Sequence, residues 1–466
     1  MDIKERLDPI FKPQTLALIG ASDVEGKWGN WVMHNLINSG YRGAIYPINP
    51  NEEVVVGHRS YPSVLDVPGE IDLAVFTIPS KIVLPVMEQC VEKGVKGAIV
   101  VTAGFAETGG EGKALQDKLV KTAGKGNISF VGPNCRGVWS SAVRLNTTFK
   151  DTPFMGGISF VSQSGTMGDY LFNIARSKGY GFSKFVSSGN QACLNETDFM
   201  EYLARDEDTR AMVFYIEGIK GGRRFYEVAR EAAKIKPVIV YKAGRTEAGK
   251  RAARSHTGSL AGVDHIFEAA CKQAGVIRCS EVLHPFDIAE AVINQPLPGG
   301  NRVAIVGDGG GYCVTSSDTC SSMGLEVPEI DPATRKKIKE LLLPHAPEPR
   351  NPVDTAADPR PVPMARIADM VAGLDYIDGL IILPPVPFFE NSLETQRRLL
   401  EAYEILGAIP KKYGKPLLAT SIYSEYAGGL QVLKDLGKVP FYLTPEECAR
   451  AMAGMVKYAG FNNRSS

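Results

Sequence analysis

Short runs of apolar, largely β-branched residues alternate with amphipathic helical stretches along almost the whole chain, and no other feature constrains the fold as strongly. Thr15–Gly20 (TLALIG), Ala44–Asn49 (AIYPIN), Asp72–Ile78 (DLAVFTI), Gly97–Thr102 (GAIVVT) and Ile128–Gly132 (ISFVG) read as buried strands. Ile82–Lys93 and Gly112–Ala123 read as helices between them. Near-continuous apolar strands are covered on both faces, and parallel strands need crossover connections, so the pattern predicts α/β units with parallel sheets. At about 150 residues per domain, 466 residues make about three.

The boundaries follow from breaks in the pattern. Asp151-Thr152-Pro153 closes a first domain, 1–150. A second, 151–298, has strands near Gly157–Val161, Phe182–Val186, Ala211–Ile216 and Pro237–Tyr241, and closes with a helix near Ile288–Asn294 before the linker Gln295–Gly300. A third, 299–466, starts with Arg302–Val306, has further strands near Gly379–Leu383 and Pro416–Thr420, and carries the Pro-rich patch Pro344–Pro352 as a long loop. The second and third domains echo each other. Phe160–Thr166 (FVSQSGT) aligns with Ile305–Gly311 (IVGDGGG), the same offset pairs Gly179 with Gly324, and Asn195-x-x-Asp198 is matched by Asn351-x-x-Asp354. Together these suggest a duplicated flavodoxin-like domain with a small-residue turn between its first strand and first helix.

Lys+Arg and Asp+Glu both number 52, a formal net charge of zero, which argues against nucleic acid and an anionic membrane surface as partners. An anionic ligand would then be held locally, by helix N-termini and backbone N–H groups. No apolar run approaches the ~18–20 residues of a membrane span, and the charged start, Met1–Arg6, lacks a signal core. Eight scattered cysteines, none in CxxC spacing, suit free thiols in a cytoplasmic protein.

Four places could carry chemistry. Gly20-Ala21-Ser22 lies between a strand and a helix, where doubly wound sheets bind nucleotide-like ligands; a plain tight turn would look the same. Lys27 and Trp28 could add a cation and a stacking face, or be surface and core residues. Ser164-Gly165-Thr166 and Gly309-Gly310-Gly311 are small-residue turns at helix starts, each offering unpaired N–H groups and about half a positive charge. His256 stands in the polar loop Arg254–Gly262 (RSHTGSLAG); histidine ordinarily titrates near ~6.5, so a neutral ring nitrogen is available there as a nucleophile. Glu217, at the end of Tyr215-Ile216-Glu217-Gly218, could accept an imidazole N–H and fix its tautomer, or simply meet solvent. Gly244–Arg251 copies P-loop spacing as far as Lys250. Arg251 stands where Ser or Thr must ligate Mg²⁺, which excludes it as a nucleotide site.

The sequences ARSHTGSLAG, VSQSGTM (Val161–Met167), GPNC (Gly132–Cys135), YIEGI (Tyr215–Ile219), GAS and GDGGG together resemble the α subunit of NDP-forming acyl-CoA synthetases, of the ADP-forming acetate–CoA ligase type and related to succinyl-CoA synthetase. The resemblance runs over essentially the whole chain. It implies a Rossmann-like CoA-binding domain followed by two flavodoxin-like parallel-sheet domains. It further implies that His256 is phosphorylated and that Glu217 steadies it. Coenzyme A would lie against Gly20, Ala21, Ser22, Asp23, Val24 and Lys27, then Pro47 and Asn49, then Ile78 and Pro79, then Thr102, Ala103 and Gly104, with Asn134 near the thioester. Ser164, Gly165 and Thr166 with Gly309, Gly310 and Gly311 would cradle phosphate.

The implied reaction turns acyl-CoA, phosphate and ADP into a carboxylic acid, CoA and ATP through an acyl phosphate and a phosphohistidine. Mg²⁺ with ADP or ATP would sit on a separate ATP-grasp β subunit, in an α2β2 assembly. The third domain resembles one that succinyl-CoA synthetase keeps on its β subunit, which favours the acetate type. A succinate-type ligase subunit and a CoA-binding sensor without catalysis are the alternatives.

Overall fold

The computed structural model describes residues 2–249, 251, 263–385, 392–420 and 435–465. The chain separates into two compact units, Met1–Pro285 and Phe286–Ser466.

The first unit holds two sheets. After helix α1 (Ile3–Phe11), the chain forms β1 (Thr15–Ile19), α2 (Trp28–Asn38), β2 (Ala44–Ile48), a small hairpin of β3 (Val54–Val55) and β4 (His58–Arg59), β5 (Leu73–Phe76), α3 (Ser80–Lys93), β6 (Gly97–Val100), α4 (Gly110–Lys125) and β7 (Ser129–Val131). The five long strands are parallel in the order β2-β1-β5-β6-β7. Every residue of β5 and β6 is buried, as strands covered by helices on both faces require. The strand order reverses between β1 and β5, and the loops leaving that point make the crevice where such sheets bind ligands.

The second sheet is built from β8 (Gly137–Ser140), β9 (Leu145–Asn146), β10 (Met155–Ser162), α5 (Gly165–Ser177), β11 (Phe182–Ser187), α6 (Glu196–Arg205), β12 (Ala211–Ile216), α7 (Gly222–Ile235), β13 (Val238–Lys242), α8 (Asp264–Ala274) and β14 (Ile277–Cys279). Its order is β14-β13-β12-β10-β11-β8-β9, a flavodoxin-like parallel core with its switch point between β10 and β12. β8 and β9 precede the break at Asp151, yet β8 pairs antiparallel with β11 and covers its outer edge. Trp139 of β8 is fully buried, and its Nε1 donates to the Phe182 carbonyl at 3.2 Å. The first sheet therefore ends before β8, earlier than the expected boundary at 150. α1 and α6 join the two layers: Phe11 stacks on Tyr202 at 5.0 Å, and Tyr202 Oη donates to Asp8 Oδ1 at 2.8 Å.

The second unit carries α9 (His284–Asn294), which enters it from the end of the first, then β15 (Val303–Gly307), α10 (Gly310–Ser322), α11 (Pro332–Leu341), β16 (Val353–Asp354), α12 (Pro361–Ala372), β17 (Gly379–Ile382), α13 (Leu393–Tyr413), β18 (Leu417–Thr420), β19 (Phe441–Tyr442) and α14 (Pro445–Ser465). The parallel order β16-β15-β17-β18-β19 matches that of the second sheet's core. α9 was expected to close the preceding domain. Instead Ala291 lies in one core with Val303, Ile305, Tyr442 and Met452. Gln295, read as linker, accepts from Leu417 N at 3.0 Å and donates to the Gly437 carbonyl at 3.0 Å. α9 thus packs with this sheet, and the two compact units divide at Pro285/Phe286, upstream of 298.

The echo between the two flavodoxin-like sheets holds at the turns: α5 and α10 each have 13 residues and each follows the first strand. It does not hold at Asn195 and Asn351. Asn195 caps α6, its Oδ1 accepting from Thr197 N at 2.9 Å. Asn351 instead lies along β15, accepting from Ile305 N at 3.0 Å and donating to the Val303 carbonyl at 2.9 Å. No disulfide joins any of the eight cysteines, and no helix among the described residues is long and apolar enough to cross a membrane.

Candidate active site

The glycine turn after β1 is shaped by close backbone approach. Gly20 has φ +89°, a region in which other residues are strained, and a Cβ there would stand 2.7 Å from Ile78 Cγ2. Its N–H donates to the Ile48 carbonyl at 3.0 Å. A Cβ on Gly29, in the first turn of α2, would stand 1.9 Å from the Gly20 carbonyl oxygen, so α2 packs directly onto the end of β1. Asn49 Nδ2 donates to the Ala21 carbonyl at 2.9 Å, and Thr77 Oγ1 to the Ile19 carbonyl at 2.9 Å, which tie the ends of β2 and β5 to the same turn. No side chain caps α2, and Trp28 at its first position is 44% exposed.

These loops line one cavity of about 1500 Å³. Its wall takes in Gly20, Ala21, Ser22, Lys27, Asn49, Ile78, Pro79, Thr102, Ala103 and Asn134. The cavity continues to the start of α5 and is lined there by Ser164, Gly165 and Thr166, then by Gly218 beside Glu217. That volume exceeds the ~300–1,000 Å³ of ordinary small-molecule pockets and suits a long ligand. Four residues expected at the ligand do not line it. Asp23 accepts from Val56 N and steadies the β3–β4 hairpin, and Val24 is half exposed beside it. Pro47 lies within β2, its carbonyl accepting from Tyr61 N. Gly104, at φ +101°, forms a turn whose N–H donates to Glu107 Oε1 at 2.6 Å.

Asn134 follows β7 at φ 57°, a conformation asparagine tolerates, and its Nδ2 donates to Asn190 Oδ1 at 3.2 Å. Asn190 Nδ2 in turn reaches Glu107 and Gln116, so the wall around Asn134 is polar. Burial opposes the charge on Glu107, but the bonds from Asn190 and the Gly104 and Phe105 backbone outweigh it and hold its carboxyl below the usual range. Burial pushes the Cys135 thiol up to about 12, which leaves it no thiolate at neutral pH and makes it a packing residue.

The start of α5 forms one end of the cavity. Ser164 Oγ accepts from Met167 N at 3.3 Å and the Ser164 carbonyl from Gly168 N at 2.9 Å, while a helix N-terminus of this kind leaves its first N–H groups without intrahelical partners. Arg136 runs alongside. A Cβ on Gly165 would stand 3.0 Å from Arg136 Cγ, and the guanidinium meets Asp169 at 3.3 Å and the Trp28 ring at 5.9 Å. Arg136 Nε is buried and has no hydrogen-bond partner among the described residues. Lys27, Lys113, Arg136 and Lys220 all border the cavity, so a chain with no net charge offers a locally cationic rim.

Glu217 is 7% exposed at the carboxyl end of β12. Its N–H donates to Gln163 Oε1 at 2.6 Å, and its carbonyl accepts from Lys242 Nζ at 2.6 Å. Lys220 Nζ donates to the Asn190 and Gln191 carbonyls, both at 3.1 Å, and burial lowers its pKa against the opposing charge of Glu196. His256 lies outside the described residues. In the other unit, Gly309 precedes α10 at φ 142° with no side-chain cap. A Cβ on Gly310 would stand 3.3 Å from Asp354 Oδ2, and Asp308 Oδ1 lies 3.1 Å from Thr355 Oγ1, so this turn is flanked by carboxyl groups. Arg136, Gln163, Asn190, Gln191 and Lys220 were not anticipated as site residues. The sequence hints at three of them, Gln163 within VSQSGTM, Arg136 directly after GPNC and Lys220 directly after YIEGI.

A family profile described as a CoA binding domain matches residues 14–140, and one described as a succinyl-CoA ligase like flavodoxin domain matches 155–292. The α subunit of ADP-forming acetate–CoA ligase II from Pyrococcus furiosus is 41% identical over 97% of this chain and 98% of its own length. The chain belongs to the ADP-forming acetate–CoA ligase family. As a member of that ligase family, it covers a smaller share of some other relatives: an ADP-forming acetate–CoA ligase of Methanocaldococcus jannaschii, 38% identical over 97% of this chain, is matched over 63% of its length. The solved structure of the dinucleotide forming acetyl-coenzyme A synthetase 1 of Ca. Korarchaeum cryptofilum, in complex with phosphate and ADP, aligns with a TM-score of 0.87 at 32% identity over 98% of each chain.

Proposed function

We propose that this chain is the catalytic α subunit of an ADP-forming acyl-CoA synthetase, with acetyl-CoA as the reference substrate. The observation that carries the reading is the single cavity running from the Gly20–Ser22 turn, past Asn134, to the N-terminus of α5. It lets a thioester and a phosphate meet. Phosphate oxygen attacks the thioester carbonyl, the C–S bond breaks, and CoA leaves as thiol to give an acyl phosphate. The N–H groups at the start of α5, around Ser164–Thr166, take up the phosphoryl charge, which is the main demand of such a transfer. A ring nitrogen of His256 then attacks phosphorus, the P–O bond breaks and the carboxylate leaves. The Glu217 carboxylate would hold the other ring N–H and favour the reactive tautomer.

ADP removes the phosphoryl group from His256 to form ATP. The ATP-grasp region and Mg²⁺ for that step belong, on this reading, to a separate β subunit in an α2β2 assembly in the cytoplasm. Support for a partner comes from the subunit naming of the Pyrococcus furiosus relatives.

The test uses the full chain, acetyl-CoA, labelled phosphate and Mg²⁺ without ADP. Acid-labile label is expected on the wild type and absent from His256→Ala. No label on the wild type, even with the β subunit and larger acyl-CoAs, would sink the phosphohistidine mechanism and leave CoA sensing as the reading.

A further inference from the structure

We propose that Gln163 is a positioning residue of this site: its side-chain amide acts as an added rung of the sheet that fixes the Glu217–Gly218 peptide, and through it the Glu217 side chain. The proposal rests on the functional reading above, which gives Glu217 its task.

β10 ends at Ser162 and β12 at Ile216, on either side of the switch point. The last backbone link between them is Gln163 N to the Tyr215 carbonyl, at 3.1 Å. Beyond it the Gln163 side chain takes over. Its Oε1 accepts from Glu217 N at 2.6 Å and Gly218 N at 2.9 Å, while its Nε2 donates to the Gly218 carbonyl at 2.7 Å. An amide that reads both the N–H and the C=O of one residue does what a neighbouring strand would do.

A buried second layer sets which way the amide faces. Nε2 lies 3.1 Å from Glu196 Oε2 and 3.2 Å from Gln191 Oε1, and Gln191 Nε2 donates to the same Glu196 oxygen at 2.8 Å. With two backbone N–H groups on one end and a carbonyl and a carboxylate on the other, only one amide orientation satisfies every partner. Glu196 is fully buried, and burial raises its pKa against the bonds it accepts from its own backbone, Gln191 and Gln163. Gln163, Gln191 and Gly218 all line the cavity, so the network is part of its wall.

A general base or tautomer-fixing carboxylate must sit within ~2.6–3.2 Å of its partner, and misplacement by about 1 Å can cost about 100-fold. Two variants separate positioning from packing. Gln163→Glu keeps the shape but puts oxygen where Nε2 faced the Gly218 carbonyl and Glu196. A carboxyl group held between a carbonyl and a like charge favours its neutral form, so its pKa rises. Above that pKa the added charge repels the Gly218 carbonyl; below it the new O–H donates as the amide did. Gln163→Met keeps the length and removes both polar ends.

The readout is the single-turnover rate of labelling His256 from acetyl-CoA and labelled phosphate on the full chain, expressed as variant over wild type, with CoA affinity measured alongside. Gln163→Glu is expected to be about 10- to 100-fold slow near pH 8 and to recover toward wild type near pH 6. Gln163→Met is expected to be slow at both, and both variants should bind CoA within about twofold of wild type. Labelling by Gln163→Met within about twofold of wild type overturns the proposal, as does loss of CoA affinity in step with labelling in both variants. If Gln163→Glu does not fold, Gln163→Met alone decides. Absence of label on the wild type overturns the reading of the site, and this proposal with it.

Discussion

The α-carbon of Gly29 packs against the carbonyl oxygen of Gly20, so closely that a Cβ on Gly29 would stand 1.9 Å from that oxygen. Both partners in that contact are backbone, and neither can swing aside. Gly29→Ala must push α2 off β1 and open the turn that carries Ala21 and Ser22. Overpacking of this kind costs about 1–3 kcal/mol, and here it falls on the ligand turn. CoA affinity measured by calorimetry should drop at least about 10-fold, consistent with that cost. Unchanged affinity would show that the turn does not hold CoA.

Arg136 runs beside Gly165 at the start of α5, with its guanidinium over Trp28 and beside Asp169. Arg136→Gln removes that charge while keeping a polar side chain. CoA binding should weaken about 5- to 10-fold at low salt, and the difference from wild type should shrink as added salt screens the remaining charges. Equal affinities at low and high salt would remove Arg136 from the site.

Lys184 and Asp206 form an ion pair at 2.6 Å with both side chains fully buried. Thr209 Oγ1 also donates to Asp206 Oδ2 at 2.6 Å. Lys184→Met leaves the carboxylate buried with Lys12, 3.8 Å away, and Lys236 as neighbouring cations. Removing one member of a buried pair costs about 3–5 kcal/mol, so the urea midpoint of the variant should fall sharply near neutral pH.

The same pair has an acid signature. Burial raises the pKa of Asp206, but the charge and hydrogen bond of Lys184 outweigh it, and the carboxyl is held below the usual range. Its folded pKa lies below the unfolded value of ~3.9, so its stabilisation is present above that value and fades as pH falls through the folded one. Wild type should lose stability below about pH 4, and the gap between wild type and Lys184→Met should narrow there. A gap independent of pH would show that Lys184 acts by packing alone.

Asn351 substitutes for a strand. β16 pairs with β15 only at Val306 and Gly307, and the Asn351 amide serves Ile305 N and the Val303 carbonyl below that point. Asn351→Ala strands two buried backbone groups at about 1–3 kcal/mol each. Amide exchange along β15 should accelerate, with CoA affinity unchanged. Wild-type protection at Ile305 would rule the bridging role out.

The three sheets, their parallel sense and their small-residue turns were legible because each rests on local pattern. An apolar run of four to six residues is a buried strand wherever it lands, and a glycine between strand and helix marks a turn. The same logic misassigned α9: its apolar face says that it packs, but not against which sheet. The echo of Asn195-x-x-Asp198 in Asn351-x-x-Asp354 is likewise one of spacing alone, since Asn195 caps a helix while Asn351 bridges a strand. Of the residues expected at the ligand, Gly20 and Asn134 line the cavity, while Asp23, Val24, Pro47 and Gly104 do not.

Gln163, Arg136 and Lys220 mark the limit. Each is an ordinary polar residue in sequence and acquires a role only through partners 30 to 108 positions away, such as Asn190, Gly218 and Trp28. The amino-acid sequence by itself determined the α/β class, the strand and helix segments, the turns able to face an anion and the family they resemble, because backbone geometry and hydrophobic period are local. Tertiary structure alone decided which turns share a cavity, which carboxylate is paired and which amide completes the sheet, because those depend on strand order and on burial, which bring distant residues together and remove the water that would otherwise satisfy them.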